Sequence, residues 1–155
     1  MDKVLTNENT SPKEKDGQYK YLYKSGEKWQ EGNIKDGKRD GLWINWYKSG
    51  GIYAKEYYKD GNALGEWEYW SPDGKESSTM THKNGDQFGK STFWYENGQK
   101  KREYFVNKDK DNKVYRYTEW HENGQIREKG IYDLNEKREI PAICWDEDGN
   151  EIECD

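Results

Sequence analysis

An all-β fold, an elongated and twisted open antiparallel sheet of about six β-hairpin repeats, follows from three features of the sequence. Glycines recur at a near-constant period, aromatic residues fill the segments between them, and aliphatic residues are scarce. The 155-residue chain carries 8 Trp, 13 Tyr and 3 Phe but only 16 Ile, Leu and Val together. Charged residues make up 37% and the hydrophobic set 30%, a balance that by itself points to disorder. Disordered chains are poor in aromatics, however, and each buried ring removes a large area from water. The chain therefore folds around an aromatic core.

The period sets the elements in order. A turn triplet ending in glycine closes at Gly26, Gly50, Gly74, Gly98, Gly124 and Gly149, at spacings of 24, 24, 24, 26 and 25 residues. Nine residues before the first four stands a further glycine: Gly17, Gly41, Gly65 and Gly89. Eleven after the first three comes a second turn: Asp36-Gly37, Asp60-Gly61 and Asn84-Gly85. Three registers agree on one period, the mark of a repeat architecture. Asp-Gly and Asn-Gly are strong hairpin signals because these residues accept positive φ. The segments between turns, about eight residues rich in Tyr, Trp, Thr and Ile, suit strands. Six units of two strands at ~4.8 Å per strand give a sheet on the order of 50 Å across, twisted along that length.

Two columns run through the repeats. Leu22, Trp46, Trp70, Trp94, Trp120 and Trp145 form the first, and core packing is its expected role. Tyr19, Trp43, Trp67, Ser91, Tyr117 and Ala142 form the second, three residues earlier. In a regular strand that offset puts the columns on opposite faces; a bulge between them would put them on one. The second strand of each unit is weaker and has at least one wet face: Tyr53, Tyr57 and Tyr58 in one, the mostly polar 77–82 in another. The 108–113 stretch breaks the period with extra residues and no glycine, and reads as a longer exposed loop. Residues 1–16 read as a flexible polar tail, and 17–155 as a single repeat domain.

Composition and motifs exclude several classes. No apolar run approaches the ~20 residues of a membrane helix, and residues 1–16 lack an apolar stretch of signal-peptide type. Two cysteines are no disulfide scaffold. Cys144 and Cys154 flank the last turn, and either a cross-hairpin disulfide or a reduced pair fits them. Net charge is −5, with six acids and no base in residues 146–155. A basic stripe, the footprint of nucleic-acid binding, is absent, so no direct nucleic-acid partner is expected. No cofactor or metal is expected: His and Cys lack ligand spacing, and 107–112 lacks the central glycine and closing glutamate of a calcium loop. His82 and His121 fall at different repeat positions. There is no nucleophile elbow or phosphate loop, so the protein is not read as an enzyme.

Residues 40–50, Asp-Gly-Leu-Trp-x-x-Trp-Tyr-x-x-Gly, together with Gly65-Glu66-Trp67, Trp70, Asp73-Gly74, Asn84-Gly85, Trp94-Tyr95, Asn97-Gly98, Trp120 and Asn123-Gly124, resemble the MORN-variant repeat of bacterial YwqK-type proteins. The resemblance covers nearly the whole chain from residue 16. It implies stacked hairpins in an open sheet and, for part of that family, an antitoxin or immunity role beside a secreted toxin. Tyr115 and Ile140 depart from the pattern by replacing the strand-opening glycine, which suits a capping end.

A non-enzymatic interaction protein is thus expected, most concretely an antitoxin that occludes a cognate toxin. The toxin would be basic, a nuclease for example, if the acidic end docks it. The expected partner-binding residues are Tyr19, Tyr21, Tyr23, Trp43, Tyr47, Trp67, Tyr69, Phe93 and Tyr95, with Glu147, Asp148, Glu151 and Glu153 at the acidic end. A cell-wall or glycan-binding module, or a structural scaffold, is the alternative. The expected location is cytoplasmic, with the periplasm or envelope as the alternative.

Overall fold

A computed structural model describes residues 3–6, 16–109, 112–133 and 138–154, and all the regular structure among them is β. The chain divides into two compact units: Met1–Glu76 with His82–Asp86, and Ser77–Thr81 with Gln87–Asp155. The segment 17–155, expected as one domain, thus spans both. The first unit holds β1 Lys3–Thr6, β2 Gly17–Leu22, β3 Lys28–Lys35, β4 Lys38–Trp46, β5 Ile52–Lys59, β6 Asn62–Ala63 and β7 Gly65–Trp70. In the rest of the chain come β8 Glu76–Lys83, β9 Asp86–Trp94, β10 Lys100–Asp109, β11 Asn112–Trp120, β12 Ile126–Asp133, β13 Arg138–Trp145 and β14 Glu151–Ile152. The division falls inside β8 and at the start of β9.

Within each unit the strands follow chain order and pair antiparallel, as successive hairpins must. β1 is the exception. It lies parallel to β2, Lys3 opposite Tyr19 and Thr6 opposite Leu22. Within the segment expected as a tail, Lys3–Thr6 takes up the unpaired N–H and C=O groups of the β2 edge. Residues 1–2 and 7–15 of that segment lie outside the described residues.

Two kinds of turn repeat as the glycines foretell. Asp36, Asp60 and Asn84 have φ of 51°, 51° and 53°, each followed by a positive-φ glycine. Two successive left-handed residues make the type I′ turn that matches the twist of flanking strands. The other turn is built alike six times. In one instance the amide of Gly50 donates to the Tyr47 carbonyl, and the Tyr47 amide donates to Gly51. The same pair of bonds recurs from Tyr23, Ser71, Tyr95, His121 and Asp146.

The strand-opening glycine has a distinct task. Between β3 and β4 the register runs from Glu31 opposite Ile44 to Asn33 opposite Asp40, so β4 carries two residues more than its neighbour. Gly41, at φ +84°, sits in that bulge, where a side chain would be strained. Near Gly65 an equal shift separates β6 from β7: β5 pairs Tyr58 with Ala63 but Lys55 with Glu68. Tyr115 stands in place of this glycine in β11, and there the register with β10 is unbroken from Arg102–Glu119 to Asp109–Asn112. The long loop expected over 108–113 is therefore a correction. The extra residues lengthen the strands, making up the count that a bulge absorbs elsewhere, and only 110–111 lie outside the described residues.

No shift falls between Trp43 and Trp46 within β4; the irregularity there lies on β5, at Tyr53. The two aromatic columns consequently occupy opposite faces, and the buried face is that of the second column. Tyr19, Ile34 and Trp43 form the core of the first unit, 3%, 3% and 1% exposed, with Tyr21 and Tyr58 packed against them. In the second unit Ser91, Val106 and Tyr117 are buried on the corresponding face. The first column, expected as core, is half-buried on the other face.

Candidate functional site

The buried face is built on one close approach. Trp43 lies flat over Gly32 of the neighbouring strand: a Cβ at Gly32 would stand 2.2 Å from the indole Cδ2. The indole Nε1–H donates to the Asn33 carbonyl at 3.2 Å. The Arg39 guanidinium stacks over both Trp43 and Tyr58, 4.2 and 5.2 Å from the ring centroids. It donates to Gln30 Oε1 and to the Tyr58 hydroxyl, and pairs with Glu56 at 3.6 Å. A cation held between rings and a carboxylate satisfies its charge without leaving the sheet. Glu119 plays a matching part in the second unit: it is buried and pairs with both Arg102 and Arg127.

The aromatic residues singled out from the sequence divide into two groups. Tyr19 and Trp43, expected as partner contacts, lie in the core, 3% and 1% exposed. Tyr21, Trp67, Tyr69 and Phe93 share that face. Tyr21 stands 6.2 Å from both Tyr19 and Trp43, Trp67 stacks near Tyr58 and His82, and Phe93 lies on Tyr104. Burial, then the Glu56 charge, pushes the Tyr69 hydroxyl well above the ordinary tyrosine range. Tyr23, Tyr47 and Tyr95 instead bind one repeat to the next: each hydroxyl donates to a main-chain carbonyl, those of Trp46, Trp70 and Trp120, at 2.8, 2.7 and 2.8 Å. His121 Nε2 makes the equivalent contact with the Trp145 carbonyl at 2.9 Å. Ser71, the short member of this column, bonds within its own turn, to Asp73 and the Lys75 carbonyl.

The acidic residues Glu147, Asp148, Glu151 and Glu153 are exposed on and beyond the last turn. Asp146 holds that turn by accepting from Asn150 and from the Asp148 amide, and the Asn150 side chain is the main reason its carboxyl stays below the usual aspartate range. The question left open for the cysteines is answered: Cys144 and Cys154 form a disulfide, their Cα atoms 5.4 Å apart. It ties the terminal segment to β13.

The opposite face carries what the aromatic set did not include. Four tryptophans of the first column are each covered by a lysine: Lys28 over Trp46, Lys55 over Trp70, Lys100 over Trp120 and Lys129 over Trp145, at 4.9 to 5.8 Å. Leu42 and its cross-strand partner Tyr57 are exposed there in the first unit, and Phe105 and Ile143 in the second. Their signal lay in strand parity, readable once the turns fix the register. Among the described residues no three His, Cys, Asp or Glu stand together as metal ligands; the side chains of 107–112 lie outside them.

The hairpin carrying Trp43, Trp46 and Tyr47 and those carrying Trp94 and Trp120 share one design: an aromatic strand, a glycine-closed turn and a weaker return strand. Three segments match the MORN repeat variant, residues 39–60, 89–108 and 116–133. The MORN-variant segments coincide with β4–β5, β9–β10 and β11–β12. Such repeats mark a repeat-based binding module, in which stacked hairpins present a surface instead of enclosing a pocket. No curated protein matches the chain.

Proposed function

We propose that this protein is an antitoxin or immunity protein of the YwqK type, which neutralises a bacterial toxin by stoichiometric binding. One observation carries the reading: each unit presents a preformed face in which exposed apolar side chains sit among half-buried tryptophans and lysines. Turns, repeat-to-repeat hydrogen bonds and ring stacking hold that face in place before a partner arrives. Little ordering entropy is then lost on binding, and aromatic and apolar side chains of this kind anchor protein interfaces. The acidic end steers a basic toxin surface toward it. The Cys144–Cys154 disulfide favours an oxidising compartment over the cytoplasm.

Co-expression with the product of the neighbouring gene tests this. Restored growth and a co-purifying complex are the expected result. Neither rescue nor complex, in a strain where the neighbour is toxic, overturns the reading and leaves wall binding or scaffolding.

A further inference from the structure

Register places five side chains of the first unit in one row across the face opposite its core. Lys20 on β2 lies opposite Glu31 on β3, Glu31 opposite Ile44 on β4, Ile44 opposite Lys55 on β5, and Lys55 opposite Glu68 on β7. The row reads cation, anion, apolar, cation, anion, so its charges are antisymmetric about Ile44. Cross-strand pairing explains Lys20 beside Glu31 and Lys55 beside Glu68, but the reverse order in one pair would serve it equally. Nor does the repeat impose the pattern. At a period of 24, Lys20 is equivalent to Glu68 and Glu31 to Lys55, and equivalent positions thus carry opposite signs. Two residues beyond Lys20, Ile44 and Glu68 stand the half-buried Leu22, Trp46 and Trp70. On the other side of the row Leu42 and Tyr57 lie opposite each other, 38% and 42% exposed.

We infer that this face of the first unit docks on the same face of a second copy of the chain, about a two-fold axis running along β4 between them. A two-fold contact is isologous: where residue i meets j, j meets i. Rotation about β4 exchanges β2 with β7 and β3 with β5. Lys20 then meets Glu68 of the second copy, Glu31 meets Lys55, and Ile44 meets its own counterpart. Every charge of the row faces its opposite, and every pair forms twice. In the adjoining row Leu22 meets Trp70, and Trp46 meets its own counterpart. An axis across the strands would set each charge against its like. Glu31 has an oxygen to offer, since Lys28 holds only Oε2, at 3.4 Å. Asp40 also comes near the axis, but Lys59 neutralises it at 2.9 Å, and the twist of aligned sheets parts them away from the centre. An unrelated partner suits the row less well, because it asks only for its own complement and gives no reason for antisymmetry. The corresponding row of the second unit, Thr92, Glu103, Thr118, Lys129 and Ile143, holds a single charge of each sign. The inference goes beyond the antitoxin reading and does not rest on it: growth rescue without a dimer strikes this inference alone.

Sedimentation equilibrium of the full-length protein over a range of concentrations, at low and high salt, reads the association. A monomer–dimer equilibrium that weakens as salt is raised is expected. K20E/K55E makes the whole row acidic and E31K/E68K makes it basic. Each, with an unchanged circular dichroism spectrum, is expected to weaken self-association at least tenfold. Mixing the two should restore a dimer that holds one of each, because every charge then meets its opposite. The fourfold swap K20E/E31K/K55E/E68K keeps the neighbouring pairs within the sheet and keeps the antisymmetry. It should dimerise with itself and not with the unmodified protein. K48E/K101E, at exposed positions outside the row, changes net charge as K20E/K55E does and should leave the dimer unchanged. A monomer at every concentration, a dimer that both double substitutions leave intact, or no association on mixing them would each overturn the inference.

Discussion

The hydroxyl of Tyr47 donates to the main-chain carbonyl of Trp70, 2.7 Å away and 23 residues later in the chain. The bond spans one whole repeat, and tyrosines at the same repeat position make it twice more. A repeat array is held by nearest-neighbour terms of this kind. Tyr47→Phe removes one such bond and keeps the ring, so a loss of about 1 kcal/mol is expected. Urea denaturation measures it. Tyr57→Phe, whose hydroxyl makes no hydrogen bond among the described residues, should leave the midpoint where it is.

Gly32 has no room for a side chain. A methyl group there meets the Trp43 ring, and Trp43 is also held by its bond to Asn33 and by Arg39 above it. Gly32→Ala should cost about 1–3 kcal/mol, as overpacked cores do. Indole emission should shift to the red as Trp43 is driven from its buried seat. An unchanged spectrum and midpoint would refute this account of the core.

The Cys144–Cys154 disulfide closes a loop with a sequence separation of 10. Chain entropy puts its contribution at about 2–3 kcal/mol, localised to β13, β14 and the turn between them. Reduction should speed hydrogen exchange at the β13–β14 pairing while leaving β3–β4 protected. A thiol count on protein isolated from its native compartment checks the bond directly: none before reduction and two after.

Acid and base should act on different places. Hydrogen bonds, chiefly from Asn150, lower the Asp146 carboxyl. Burial raises Glu103, but Lys100 and Lys90 outweigh it and hold the carboxyl low. For both groups the folded state binds the proton less readily than the unfolded chain. Their stabilisation is present above the ordinary carboxylate range, about pH 4, and lost as pH falls through the lower folded value. Glu76 is the reverse case: burial, then the charges of Glu68 and Glu66, raises it above the ordinary 4.5. Its folded form prefers the proton, so stability is greatest below that value and declines as pH rises through the folded one. Glu76→Gln should therefore raise the melting temperature at pH 7 and leave it unchanged at pH 4. A rise of equal size at both would show that charge is not the cause.

Neutralising Glu147, Asp148, Glu151 and Glu153 together should slow association with a basic partner at low salt and change the dissociation rate little, since exposed rim charges act on encounter. Stopped-flow traces at two ionic strengths separate the two. A rate as fast as the unmodified protein's would remove steering by the acidic end.

The turns and strand positions were readable because they depend on local chemistry. Asp-Gly and Asn-Gly favour positive φ wherever they stand, and Asp36, Asp60 and Asn84 adopt it in register with the 24-residue period. The aromatic segments then pair because nothing else can cover their amides. The candidate surface was not readable in the same way. Tyr19 and Trp43 look like Tyr23 and Tyr47 on paper, yet the first two are core and the second two reach into the next repeat.

Local residue preference thus wrote the hairpins, their order and their period into the chain. The assembled sheet alone decided which face is core, that Lys3–Thr6 runs parallel to β2, that the extra residues near 110 lengthen strands, and that Lys20, Glu31, Ile44, Lys55 and Glu68 stand in one row. The reason is geometric. Alternation assigns each side chain to a face only after pairing and bulges are known, and both are properties of two strands together, set by a neighbour that can lie far along the chain.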